Sequence, residues 1–188
     1  NTEEVKRYLG ILIEKLEKPI GIIQYVQLKT VAYAATVSEP TLNWGPNFRV
    51  ISNQGEEAFI EPPEEEELED ISEALIRFSH FVLVGSPGAG KTTTLKSLAL
   101  QSAHQCLKNM GDLKSFPIPF FVSLPEWRND SRGIEDFIRA QFARWQFGED
   151  VIELLNEGLG VLYLDGLNEM GQSGISKSSQ IRQWLHGR

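Results

Sequence analysis

The chain carries at residues 85–92 the stretch Gly85-Ser86-Pro87-Gly88-Ala89-Gly90-Lys91-Thr92. It consists of a glycine, four further residues and then Gly-Lys-Thr, which is the pattern of a phosphate-binding loop. Its three glycines and one proline allow a tight turn whose backbone N–H groups point inward at an anion. The sequence therefore predicts a phosphate site here, and an ordinary glycine-rich turn is the alternative.

The residues on either side of this loop support a nucleotide site. Residues 81–84 are apolar and predict a short buried strand, while residues 93–108 predict a helix whose positive N-terminus faces the loop. In such a loop the lysine reaches the β- and γ-phosphates and the threonine hydroxyl binds Mg²⁺. The predicted nucleotide-binding residues are Gly85, Ser86, Pro87, Gly88, Ala89, Gly90, Lys91, Thr92 and Thr93.

A second motif follows the apolar residues 161–164, where the chain reads Asp165-Gly166-Leu167-Asn168-Glu169. An acid at the end of a buried strand is the Walker B arrangement, and ligands of open α/β folds bind at that edge of the sheet. Asp165 is thus predicted to hold Mg²⁺ opposite Thr92. Glu169 is predicted to orient or deprotonate the attacking water, which makes Glu169 and Lys91 the candidate catalytic residues. The alternative is an aspartate that merely caps a turn.

Elsewhere, strand and helix patterns alternate, which predicts an α/β sandwich around a mostly parallel sheet. Residues 64–78 predict a helix, because the glutamates in its first turn would interact favourably with the positive end of the helix dipole. The predicted elements are a helix at 2–17, strands within 20–35, a loop at 38–47, a hairpin of 48–52 with 58–60, a helix at 64–78, a strand at 118–124, helices at 134–145 and 150–157, a strand at 161–164 and a helix at 176–186.

Composition limits the classes of protein. The chain has 188 residues and a net charge of −8, which argues on electrostatic grounds against a broad surface for nucleic acid or an anionic membrane. Its apolar runs are too short to cross a bilayer and no signal peptide is recognisable, so a cytoplasmic location is expected. The single Cys106 excludes an internal disulfide and lies on the apolar face of a predicted helix, where it is expected to pack.

The two motifs, GSPGAGKTT and VLYLDGLNEM, resemble those of the NACHT family of signal-transduction ATPases over about residues 78–170. The strand IPFFVSL with the turn Pro125-Glu126-Trp127 also resembles the segment that this family carries between them. By this resemblance, residues 85–92 are the phosphate loop, Asp165 the Mg²⁺ acid, Gly166 the small residue and Glu169 the final acid. The chain departs from the family at Asn168, where an aspartate is usual, and this puts the rate of hydrolysis in question.

The resemblance implies a three-layer P-loop NTPase fold that binds ATP or ADP with Mg²⁺ and acts as a switch. It implies self-association through the NTPase domain and roles in signalling, immunity or defence. Residues 1–61 would link to an upstream effector, and residues 62–188 would form the NTPase domain. The resemblance also implies that the strand after Walker B inserts between the P-loop strand and the Walker B strand. We therefore expect the sheet to be truncated before its last strands, which would follow Arg188.

Two other functions stay open. A conventional P-loop GTPase or small kinase is one, although a Ras-type GTPase would have Asp-x-x-Gly where this chain has Asn168 in the last position. The other is a module that binds nucleotide without hydrolysing it and serves protein contacts, which the loss of a carboxylate at position 168 favours.

Overall fold

A computed structural model describes residues 2–17, 30–33, 50–51, 57–58, 65–68, 71, 75, 81–83, 88–147 and 150–186. The chain divides into two compact units. One consists of residues 1–23 together with 84–188, and the other of residues 24–83.

The larger unit contains five helices and two strands in its described part. In chain order they are α1 (Thr2–Glu17), α2 (Lys91–Lys108), β5 (Ile118–Ser123), α3 (Ile134–Ala143), α4 (Val151–Asn156), β6 (Gly160–Asp165) and α5 (Ser173–His186), with 3-10 turns at Leu124–Trp127 and Leu167–Met170. The smaller unit contains β1 (Thr30–Tyr33), β2 (Val50–Ile51), β3 (Glu57–Ala58) and β4 (Glu65–Leu68).

Strands β5 and β6 pair in parallel, from Ile118 opposite Gly160 to Ser123 opposite Asp165. Parallel pairing places both carboxyl ends at one edge, so Asp165 emerges there next to Ser123. Helix α2 packs on these strands, and its Ser102 hydroxyl lies 2.8 Å from the Tyr163 hydroxyl on β6. This hydrogen bond between the two hydroxyls helps to hold α2 against β6. The two strands agree with a P-loop NTPase fold, and the complete three-layer sheet stays a prediction.

Helix α1 forms with the predicted apolar face inward, and each of its five core residues is at most 4% exposed: Val5, Tyr8, Leu9, Leu12 and Leu16. The Tyr8 hydroxyl donates a hydrogen bond of 2.8 Å to the Pro119 carbonyl at the start of β5. The Tyr8 ring also contacts the rings of Phe120 and Phe142. Helix α1 is therefore part of the same compact unit as α2 and β5, and the predicted boundary after residue 61 stays a prediction.

Several predicted elements are confirmed with small shifts of their ends. Helix α2 begins two residues earlier than predicted, and helix α3 ends before Trp145. Strand β1 lies within residues 20–35, and β2 pairs with β3 as the predicted hairpin. The predicted loop at 38–47 lies outside the described residues. Cys106 is fully buried, and burial raises the pKa of its thiol to about 11, which agrees with a packing role.

Two predictions are wrong at described residues. Residues 65–68 form strand β4 instead of the start of a helix, and β4 pairs antiparallel with Thr30–Tyr33, although residue 75, later in the predicted helix, is helical. Four consecutive glutamates put like charges one turn apart in a helix, whereas a strand sends successive side chains to opposite faces. Residues 81–83 form no strand, and Val82 is 67% exposed instead of buried. A strand needs a hydrogen-bonded neighbour, and among the described strands β5 and β6 pair only with each other.

Candidate nucleotide site

The end of the predicted phosphate loop adopts a backbone that requires glycine. Gly88 and Gly90 have φ angles of +78° and +83°, in the left-handed region that other residues rarely occupy. Gly90 is the N-cap of α2, so the chain turns directly from the loop into the helix. Ala89 lies between them and is half-buried. The loop residues Gly85, Ser86 and Pro87 lie outside the described residues.

The N-terminus of α2 is suited to an anion. No side chain within the described residues caps this 18-residue helix, and its first turn contains no acid. The first helical hydrogen bond runs from the Thr94 N–H to the Gly90 carbonyl at 2.8 Å. The N–H groups before it have no partner within the helix and carry the positive end of the helix dipole. Lys91, Thr92 and Thr93 stand in this first turn, so a phosphate placed here would meet both N–H groups and a lysine.

The structure brings the two motifs together at one point. The Thr92 hydroxyl donates a hydrogen bond of 2.9 Å to a carboxylate oxygen of Asp165, across 73 residues of sequence. Thr92 lies at the start of α2 and Asp165 is the last residue of β6. A hydroxyl and a carboxylate are the hard oxygen ligands that Mg²⁺ prefers, so this donor pair fits the ion. The predicted convergence of Thr92 and Asp165 is therefore observed.

The chain then enters the 3-10 turn Leu167–Met170, which we call the Walker B turn. It starts at Gly166, whose φ is +86°, and it is anchored by Met170, which is fully buried. Glu169 is exposed, and its N–H donates to the Gly166 carbonyl at 3.0 Å. A Cβ built on Gly166 would lie 2.7 Å from the Pro125 ring and 3.6 Å from a Glu169 carboxylate oxygen. Gly166 thus allows Pro125 to approach closely.

Replacing Gly166 with alanine is expected to destabilise the fold more than the same change at Gly158. Both glycines have positive φ, but a Cβ at Gly158 would meet nothing within 4 Å. Left-handed strain of about 1–2 kcal/mol applies to both variants, whereas crowding against Pro125 adds at least about 1 kcal/mol to Gly166→Ala. Chemical denaturation measures the two free energies of unfolding. Equal losses would contradict the close approach of Pro125.

Three side chains around the Walker B turn were not anticipated from the sequence. Arg128 donates a hydrogen bond to the Glu169 carbonyl. Trp127 is fully buried, and the Lys177 ammonium lies 3.8 Å from the centre of its ring. The resemblance pointed to the turn that contains Trp127, but no sequence pattern links Arg128 or Lys177 to Glu169.

Helix α2 begins after two left-handed glycines, and its Thr92 hydroxyl meets Asp165 at the end of β6. This arrangement is typical of P-loop NTPases. The family model described as the NACHT domain matches residues 79–187, and the chain belongs to this family. It therefore contains a nucleotide-binding NTPase module. Comparison with curated proteins and with solved structures gave no match.

Proposed function

We propose that this chain binds ATP with Mg²⁺ and hydrolyses it to ADP, as the nucleotide switch of a signalling or defence protein. The observation that carries the proposal is the 2.9 Å contact between Thr92 and Asp165. It joins the phosphate-loop helix to the Walker B strand at the sheet edge where nucleotides bind in α/β folds. The NACHT match over residues 79–187 supports the same site independently of this contact.

Each residue of the site has a distinct role in this proposal. Lys91 and the N–H groups at the start of α2 bind the phosphates, and Thr92 and Asp165 would hold Mg²⁺, which neutralises phosphate charge when bound. Glu169 orients a water molecule and accepts its proton as the water oxygen attacks the γ-phosphorus. The bond from the γ-phosphorus to the β–γ bridging oxygen breaks, and ADP leaves with the electron pair.

The wider role is also a proposal. Exchange of ADP for ATP would favour self-association through the NTPase domain and would release an effector attached before it. The support is membership of the NACHT family, together with the larger unit that contains both nucleotide motifs. Within the described ranges, no helix combines the length and the apolar character needed to cross a membrane.

The alternative that the site also allows is a module that binds ATP and does not turn it over. Asn168 favours it, because the family usually has an aspartate in this position of the Walker B turn. A time course of phosphate release from the protein saturated with ATP separates the two functions. A panel of nucleotides in the same assay distinguishes an ATPase from a conventional GTPase.

Asp165→Asn is expected to weaken only the Mg²⁺-dependent part of ATP binding. The amide keeps the size of the side chain and loses the charge, and a charge-assisted contact of this kind is worth about 10- to 100-fold in affinity. Calorimetric titration with ATP is performed once with Mg²⁺ and once with EDTA. Asp136→Asn, on the exposed surface of α3, is the control for the loss of one carboxylate. An unchanged affinity in Mg²⁺, or an equal loss in EDTA, would contradict the metal role.

A further inference from the structure

The segment between β5 and α3, residues 124–132, lies directly against the Walker B turn. Pro125 contacts Gly166 so closely that a Cβ there would lie 2.7 Å from the proline ring. Three residues further on, the Arg128 guanidinium donates a hydrogen bond to the main-chain carbonyl of Glu169. The segment that follows one strand of the sheet thus contacts the turn that follows its neighbour.

The backbone of Glu169 is held at both of its polar groups. Its N–H donates to the Gly166 carbonyl at 3.0 Å, and its carbonyl accepts from Arg128. These two hydrogen bonds matter because side-chain packing contributes little to the orientation of Glu169, since Leu167, Asn168 and Glu169 are all exposed. The direction in which the Glu169 carboxylate points therefore depends on the orientation of its peptide groups, and Arg128 fixes one of them.

Arg128 itself is attached to a firmly held segment. The fully buried Trp127 donates from its indole N–H to the Arg132 carbonyl at 2.9 Å. The Lys177 ammonium, on α5, donates to the Asp130 carbonyl at 2.7 Å while lying over the Trp127 ring. Lys177 is only 7% exposed, and these two contacts hold its ammonium group in place. The arginine thus extends from a segment that is tied to α5 at one end and to β5 at the other.

We propose that Arg128 is the positioning residue for Glu169 in ATP hydrolysis. Through the Glu169 carbonyl it holds the Walker B turn in the orientation that aims the carboxylate at the attacking water. The inference rests on the proposed function, because it assigns a role within that hydrolysis. A misplacement of about 1 Å in a catalytic group can cost roughly 100-fold in rate, so a remote hydrogen bond of this kind can have a large effect on turnover.

The test compares variants of the full-length protein. Arg128→Ala is expected to lower kcat for ATP roughly 10- to 100-fold while ATP affinity, measured by titration, stays within about twofold. Arg128→Lys keeps one donor and is expected to recover part of the rate. The matched control is Arg132→Ala, which removes another arginine of the same segment. The Arg132 side chain pairs with Asp130, and among the described contacts none joins it to Glu169, so this variant should keep the parent rate.

A second measurement separates positioning from general stability. In the Glu169→Gln background, Arg128→Ala should lower the residual rate little further, because a positioning residue acts through the group it positions. A full additional loss in that background, or a loss of rate in Arg132→Ala as large as in Arg128→Ala, would overturn the inference.

The outcomes also distinguish this inference from the proposed function. If the parent protein hydrolyses ATP and both Arg128→Ala and Arg128→Lys match its rate, the positioning role is wrong and the proposed function stands. If the parent protein binds ATP and releases no phosphate, hydrolysis itself is wrong and the positioning role fails with it. If Arg128→Ala fails to fold, Arg128→Met decides, since it keeps the apolar stem and removes the donor, and a rate equal to that of the parent would equally overturn the role.

Discussion

Glu169→Gln is expected to leave ATP bound and to slow its hydrolysis by about 10²–10⁴-fold, the usual contribution of a general base. The amide has nearly the same shape as the carboxylate and cannot accept the proton of the attacking water. Because Glu169 is exposed and its main chain holds it on the Walker B turn, the substitution should disturb the fold little. Phosphate release in a single turnover and calorimetric ATP titration measure the rate and the affinity separately.

A matched control for this variant is Glu157→Gln. Glu157 is exposed at the end of α4 and stands outside the Walker B turn, so this change should leave both quantities at the parent values. If Glu169→Gln hydrolyses ATP as fast as the parent, Glu169 is not the base and another group positions the water. If it loses ATP affinity to the same degree as rate, its role lies in binding the nucleotide.

The convergence of the two motifs could be predicted because each step is local or follows from sheet topology. Glycines at fixed spacing predict the left-handed turns of Gly88 and Gly90, which the structure has. An apolar run that ends in Asp165 predicts a parallel strand with its acid at the carboxyl edge. Once the helix after the loop packs on the sheet that contains this strand, the meeting of Thr92 and Asp165 follows without knowledge of any other contact.

The errors have a different physical origin. Residues 64–78 have a helical pattern by themselves, but pairing with Thr30–Tyr33 over 30 residues away decides the conformation of residues 65–68. The strand predicted at residues 81–84 rests on apolar character, which does not specify a hydrogen-bonded neighbour, and residues 81–83 form no strand. In both cases a partner distant in sequence determines the local structure.

Arg128 shows the same limit at the site itself. Its hydrogen bond to the Glu169 carbonyl spans 41 residues and ends on a main-chain atom, which every residue has. No choice of side chain at position 169 could indicate such a contact. The sequence therefore predicts the groups that touch the nucleotide better than the groups that hold them in place.

Lys91→Ala is expected to lower the affinity for ATP with Mg²⁺ by about 10- to 100-fold, since it removes a charge-assisted contact to phosphate. Lys91 is the first residue of α2, directly after Gly90, where the helix N-terminus and the loop face the same anion. Lys96→Ala, one turn and a half further along α2, is the matched control and should bind ATP like the parent. Calorimetric titration gives both affinities, and thermal melting checks that each variant is folded. An unchanged affinity in Lys91→Ala, or an equal loss in Lys96→Ala, would show that residues 85–92 do not bind the phosphates and that the nucleotide site lies elsewhere.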